Sequence, residues 1–362
     1  MGVSVGGLSN SQTAELLALE AEKVSGQLRM AFRRAARLSC IWPVEIVDLL
    51  AHSKPLTILP GIGPFLETRI RGWLEAGTPA PEPPQIRRGF LTVPQARAIL
   101  ARHPAWRAAY KGDLQMHTTW SDGSGTVHEM ADAALQLGYA YIGVTDHSKG
   151  LKIAGGINEG HLDRQRIEIE AVNNDLRTQG FRVLHGIELN LNPLGEGDMN
   201  PGALAKLDFV VGSFHSALRR TGDQTERYLA ALENPDIQIL GHPRGRIYNH
   251  REGLQADWVR VFATAAQVDK AVEIDAYPDR QDLSIDLLKI AKREDVRVAI
   301  DTDAHAPAQL SFVELGLAAA VESGIPRDRI INFMNLPALL NWVQQVRSRS
   351  RRRRVAFVLE SS

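Results

Sequence analysis

Eight side chains able to hold a divalent cation recur at comparable places in the 362-residue sequence: His117, Asp122, His147, Glu188, His215, His242, Asp303 and His305. Nearly all lie at, or just beyond, the end of a short run of β-prone residues. Imidazoles and carboxylates together suit divalent ions, and hydroxide generated on such ions can hydrolyse an anionic ester near neutral pH. One or two of these histidines could be ordinary packed core residues. Packing does not explain the whole set, because buried imidazoles and carboxylates each need a polar partner, and a metal satisfies many of them together. The other histidines, His52, His103, His128, His161, His185 and His250, fall elsewhere and are read as surface or structural. The single cysteine, Cys40, excludes an intrachain disulfide framework and any multi-cysteine zinc site.

The runs that must carry these residues number seven: 113–117, 141–147, 181–188, 209–215, 237–242, 271–275 and 296–301. Helical stretches at 127–137, 162–177, 224–232, 258–266 and 284–292 alternate with them, which predicts a parallel sheet with right-handed crossovers. If that sheet closes into a barrel, all its C-terminal strand ends meet on one face, and ligands more than a hundred positions apart become neighbours. Lys149, Arg244, Arg246 and Arg280 also follow strand ends, and they are candidates to hold the non-bridging oxygens of a phosphate.

Ahead of this body, residues 13–50 read as two or three amphipathic helices, and Pro60-Gly-Ile-Gly63 interrupts the next helical pattern with a tight turn. The expected organisation is a helical module over 1–76, a Pro-rich linker over 77–110, the α/β body over 111–346 and a basic, disordered tail over 347–362. Equal numbers of basic and acidic residues, 42 each, conceal an asymmetry: residues 1–110 carry 13 Lys+Arg and 8 Asp+Glu (net +5), 347–362 carry 6 and 1 (net +5), and 111–346 carry 23 and 33 (net −10). Basic ends can grip a phosphate backbone, whereas an acidic body repels one unless cations offset it. No stretch approaches the roughly 18 apolar residues of a membrane helix, and the first ten residues lack a secretory pattern, so a soluble cytoplasmic protein with no membrane partner is expected.

The segments Gly112-Asp-Leu-Gln-Met-His-Thr-Thr-Trp-Ser-Asp-Gly123, Val144-Thr-Asp-His-Ser-Lys149, Gly186-Ile-Glu188, Gly212-Ser-Phe-His215, Gly241-His-Pro-Arg-Gly-Arg246 and Asp303-Ala-His305 resemble, in order, the motifs of the PHP (polymerase and histidinol phosphatase) domain. The resemblance spans about 111–343, and extends in particular to the PHP domain of bacterial family X DNA polymerases. It implies an α/β fold, a distorted seven-stranded (β/α) barrel, and metal-dependent phosphoester hydrolysis with Glu188, Asp303 and His305 catalytic. By position it implies one ion on His117, Glu188 and Asp303, a second on Glu188, His215 and His242, and a third on Asp122, His147 and His305. Two to three ions are expected, Mn²⁺ or Zn²⁺, with Fe²⁺ a further option. One ligand departs from the family's His-x-His start: its first position is Gln115, a weak neutral donor, so that site binds loosely, favours a harder ion such as Mn²⁺, or stands empty at rest.

Leu59-Pro-Gly-Ile-Gly-Pro64, preceded by Phe32-Arg-Arg-Ala-Ala-Arg37, resembles the helix-hairpin-helix module of the same polymerases. That likeness implies DNA contact through backbone N–H groups of Gly61, Ile62 and Gly63. The polymerase palm, which in that family separates the two parts, has no counterpart in the 34 residues from Gly77 to Tyr110. The leading expectation is a phosphoesterase acting on DNA 3′ ends, as a 3′-to-5′ exonuclease or a 3′-phosphatase. A small-molecule phosphatase of histidinol-phosphate type and a non-catalytic DNA-binding scaffold are the alternatives.

Overall fold

The structure is a computed structural model describing residues 7–360, with side chains through Arg352; residues 1–6 of the expected module and 361–362 of the expected tail lie outside the described residues. The helical front comprises α1 (Asn10–Lys23), α2 (Gly26–Leu38), α3 (Ile46–Ala51) and α4 (Pro64–Glu75). Ser9 opens α1 with a capping box closed by Gln12, which satisfies two end amides reciprocally. Leu17, Phe32, Ala35, Trp42, Ile46, Leu56 and Ile70 form its core. The turn before α4 uses Gly61 at φ 82°, a left-handed conformation that glycine adopts without a Cβ penalty, while Ile62 packs into the core.

The stretch 77–110, expected as a linker, is extended only in its proline-rich first part. Thr92 and Gln95 form a second capping box that starts α5 (Val93–Ala101), and α6 (Pro104–Ala109) follows. Ala96, Ile99 and Leu100 belong to the main core of the body, so this segment is built into it.

The body then runs β1 (Gly112–Asp113), α7 (Val127–Gln136), β2 (Tyr141–Val144), α8 (Glu159–Asp175), β3 (Arg182–His185), β4 (Glu188–Leu191), α9 (Pro201–Leu204), β5 (Val211–Phe214), α10 (Thr225–Glu233), β6 (Ile239–Leu240), α11 (Trp258–Val268), β7 (Ala271–Asp275), α12 (Ile285–Arg293), β8 (Arg297–Asp301), α13 (Val313–Ser323) and α14 (Leu336–Glu360). All strand pairs are parallel, in two sheets ordered β1-β2-β3 and β4-β5-β6-β7-β8. Single bridges join the sheets into a distorted barrel, His147 to Glu188 on one side and Met116 to Ala304 on the other. Eight short strands therefore stand where seven runs were expected. The run 181–188 is divided at Gly186-Ile187, where a Cβ on Gly186 would come within 2.9 Å of the Phe209 ring, so only glycine lets the chain pass and change sheets.

At the N-terminal strand ends the barrel interior is apolar: Leu114, Tyr141, Leu184, Phe209, Val211, Ile239, Ala271 and Ala299 meet Trp342, Val343 and Val346 of α14. The tail expected to be disordered continues this helix to Glu360. The apolar spacing of 339, 342, 343 and 346 carries the helix across the barrel floor. There Trp342 donates to the Asp269 carbonyl (3.0 Å) and Arg347 to the Leu207 carbonyl (2.8 Å).

The module and the body are joined by a specific contact. Tyr248, from the loop after β6, inserts into the helical core and meets Phe90 edge to face at 5.2 Å. Buried Arg87 makes a two-pronged pair with Glu15 (2.8 and 2.7 Å) and donates to Asn249 at 3.0 Å.

Candidate metal centre

All eight expected ligands converge at the C-terminal strand ends. Glu188, the first residue of β4 and wholly buried, is at the centre. Its Oε1 is 2.7 Å from His242 Nε2 and 3.3 Å from His215 Nε2, and its Oε2 is 2.7 Å from His147 Nδ1 and 3.6 Å from His117 Nε2. His117 Nε2 also lies 2.9 Å from Asp303 Oδ1. Exposed Asp122 places Oδ1 3.6 Å from His147 Nε2 and 3.5 Å from His305 Nε2. The rings of His147 and His305 flank His117 at centroid distances of 4.2 and 4.3 Å. The donor atoms form two clusters, His117 with Asp122, His147 and His305, and His147 with Glu188 and His215, each within 4.8 Å internally. His147 thus belongs to both, a sharing that the sequence did not indicate.

This arrangement fits divalent cations. His117 Nδ1 and His242 Nδ1 are buried without a hydrogen-bond partner, as are both amide atoms of Gln115, two residues before His117. The backbone is also committed, since His242 (φ 21°) and Asp303 (φ 52°) hold left-handed conformations unusual for such residues, as functional sites often do. Gly241 lets that backbone approach closely, because a Cβ there would come 2.3 Å from Ser213 Oγ and 3.2 Å from Gln115 Oε1.

The electrostatics favour ionised carboxylates. Burial raises the Glu188 pKa, but His147, His215 and His242 outweigh it and hold the carboxyl well below its usual range. Asp303 is likewise depressed against burial, by Arg280, His117 and His305. Burial, then His147, depresses His117, while His305 rises against burial to about 9 through Asp122 and Asp303.

Of the four expected phosphate holders, Arg280 reaches the centre, with Nη2 3.2 Å from Asp303 Oδ2 and Nε 3.7 Å from Asp275 Oδ2. Lys149 instead pairs with Glu159 at 2.7 Å, and buried Arg244 donates Nε to the Leu254 carbonyl. Arg246 is engaged at the base of the helical module instead. Its guanidinium lies 3.9 Å over Phe90 and donates to the carbonyls of Arg280 (2.7 Å) and Gly89 (2.9 Å), and burial pulls its pKa down to about 10.

Other supporting residues escaped the sequence reading. Asn190 Oδ1 meets His215 Nδ1 at 3.1 Å, which aims Nε2 at Glu188. Asp146 accepts from Thr118 N–H (2.8 Å), Thr118 Oγ1 (2.7 Å), Ser121 Oγ (2.5 Å) and Gln165 (2.6 Å), fixing the loop that presents Asp122. On β7, Glu273 accepts from the His242 N–H. Period-two spacing of Glu273 and Asp275 in an otherwise apolar strand was the available signal.

A closed set of imidazoles and carboxylates at the strand ends of a parallel α/β barrel defines a metal-dependent phosphoesterase. The PHP domain model matches residues 113–303, more than half of the sequence, and the chain belongs to that family. A DNA polymerase/3′-5′ exonuclease PolX of Bacillus subtilis is 36% identical over 227 residues, which cover 62% of this chain and 40% of that protein. This chain thus aligns with well under half of that relative's length. A probable phosphatase of Thermoanaerobacter sp. is 28% identical over 232 residues, 61% of this chain and 89% of that protein, and one of Shewanella amazonensis is 26% identical over 64% and 91%.

Proposed function

We propose that this protein hydrolyses phosphoesters at DNA 3′ ends, removing nucleotides or a terminal phosphate. The observation that carries the reading is the seating of the helical module on the loops that border the metal centre: Tyr248 and Asn249 come from the loop after β6, and Arg37 of α2 approaches Asp279, the neighbour of Arg280, at 3.8 Å. A DNA-holding module in this position adjoins the hydrolytic site with no palm between.

The hairpin reading assigns the phosphate grip to the turn before α4. The Ile62 N–H is already spent on the Leu59 carbonyl at 3.2 Å and the Glu67 N–H on that of Gly63, and Pro64 has none, so Gly61, Gly63, Phe65 and Leu66 are the amides left to offer. In the barrel, His117, Glu188 and Asp303, then Glu188, His215 and His242, then Asp122, His147 and His305 would hold up to three divalent ions, Mn²⁺ or Zn²⁺ in the first instance. Such ions supply a hydroxide near neutral pH and offset charge on the phosphoryl oxygens. Arg280, a quarter exposed, orients the ester by pairing with a non-bridging oxygen, and Asp303 holds Arg280 in place beforehand. Asn190 keeps the His215 ring aimed at Glu188, and Glu273 anchors the backbone of His242.

The test is hydrolysis of 3′-labelled single-stranded and nicked DNA, and of histidinol phosphate, with and without Mn²⁺. Metal-dependent release from DNA is expected. Turnover of histidinol phosphate with DNA left intact would favour the small-molecule reading, which the two probable phosphatases matched over most of their length make the natural competitor.

A further inference from the structure

Two arginines in the loops beside the metal centre, Arg219 and Arg251, have no role in the preceding account. Arg219 follows the ligand His215 by four residues and donates to His250 Nε2 at 2.7 Å, which leaves the His250 proton on Nδ1. Arg251 is next: its Nε donates to the Gly245 carbonyl, and its Nη2 lies 3.6 Å from the place a Cβ on Gly245 would take, beside Leu218. Burial, and then the neighbouring cations Arg280 and Arg219, hold the Arg251 guanidinium below its ordinary value, with Asp282 partly offsetting them. Arg280 in turn touches Asp303. Cations therefore run from the loop after β5, across the loop after β6, to the metal ligands. Among the described residues neither Arg219 nor Arg251 is ion-paired with a carboxylate, although the surrounding body carries a net −10 over 111–346, from 23 basic and 33 acidic residues. Like charges gathered without counter-ions repel one another, and an anion placed among them removes the repulsion.

We propose that Arg219, Arg251 and His250 form a second phosphate subsite, which takes the backbone phosphodiester next to the scissile ester of a DNA strand. The inference rests on the nucleic-acid reading above and adds a requirement to it: a preferred substrate carries at least two phosphates, one at the metals and one on this cluster. The planar guanidinium forks match phosphate oxygens, and the Nδ1 proton of His250 adds a donor. A compact single-phosphate ester reaches the metal ligands and Arg280 without touching the cluster.

The experiment compares the full chain, loaded with Mn²⁺, with Arg219→Ala and His250→Ala, both at exposed positions, and with Arg251→Lys. Substrates are a ten-nucleotide oligothymidylate and bis-p-nitrophenyl phosphate, at several salt concentrations. Arg219→Ala is expected to raise the oligonucleotide KM about 5- to 10-fold and to lower the salt-dependence slope by about one, while kcat/KM for the small diester stays constant. His250→Ala gives a smaller rise in the same direction. Arg251→Lys keeps the charge but loses the fork, and it raises KM for the oligonucleotide alone. An unchanged oligonucleotide KM and slope in Arg219→Ala overturns the subsite, as does a parallel loss on the small diester. A wild-type protein that leaves the oligonucleotide intact while hydrolysing the small diester overturns the nucleic-acid reading itself, a result distinct from a variant that matches an active wild type.

Discussion

The two ends of one barrel are built on opposite principles. At the N-terminal strand ends, Leu114, Phe209, Val211 and Ile239 close against Trp342 and Val346, and the indole finds a carbonyl for its N–H. At the C-terminal ends, a few residues further along the same strands, buried imidazole and amide atoms lack partners and two candidate ligands, His242 and Asp303, hold left-handed backbones. The floor is arranged for burial of apolar area and the mouth for a ligand. Stability and chemistry are thus separable along the strand direction, which mutation can test.

The largest effect is expected at the mouth. Glu188→Ala removes the carboxylate that four imidazoles approach, and should lower phosphodiester hydrolysis about 1000-fold, roughly 4 kcal/mol of barrier, with bound metal falling by more than one equivalent. Elemental analysis of the purified variant checks the second part, and unchanged metal content would rule out a bridging role for Glu188. At the floor, Trp342→Ala should cost about 3–4 kcal/mol of stability through the enlarged cavity left at a buried site. Metal content and kcat at low temperature should stay near wild type, as read by urea unfolding beside a turnover assay. If activity fell in proportion at low temperature, the separation of the two ends would not hold.

The same contrast appears with pH once the metals are stripped. His305 rises from an ordinary 6.5 to about 9 in the folded protein, so its protonation stabilises the fold fully below pH 6.5, and that contribution is lost as pH rises through 9. The difference is on the order of 2–3 kcal/mol, and the depressed Asp303 and Glu188 act only in acid, outside this window. Metal affinity should climb over the same range, because His305 must shed its proton to serve as a ligand. Chemical unfolding of chelated protein at pH 6 and pH 9.5, with metal titrations at both, measures the pair of trends. The smallest effect belongs to Asn190→Ala: with His215 free to turn, metal affinity or activity should fall 10- to 100-fold, about 1.4–2.7 kcal/mol, while the melting temperature hardly moves.

The convergence of the eight candidate side chains was legible because nearly all lie at or just beyond the end of a strand-like run, and a parallel barrel gathers such ends whatever their separation in the chain. Arginine roles were not legible by the same rule. Arg244 and Arg246 follow the ligand His242 as closely as Arg280 follows β7, but the loop after β6 turns outward to meet the helical module, and Arg246 is used on Phe90 and two carbonyls. The Thr92 and Gln95 capping box marks a helix start within 77–110, but the four prolines at 79–84 carry the stronger local signal, that of an extended linker. In the tail, six arginines outweighed in the reading the apolar spacing that runs into it, and Arg347 is in fact buried against Leu207. The break between β3 and β4 depends on a tertiary neighbour, Phe209, which no local pattern around Gly186 reports.

The contact of Tyr248 and Arg87 with the helical module has a thermal consequence. Withdrawing the module would expose the Tyr248 ring and undo the Arg87–Glu15 pair, and truncating Arg87 in the folded chain would leave Glu15 buried without its partner, a cost of about 3–5 kcal/mol. Neither part can therefore melt at leisure while the other stays folded. On heating, the chain should show a single calorimetric transition whose measured enthalpy equals its van't Hoff enthalpy, and Arg87→Ala should split that peak in two.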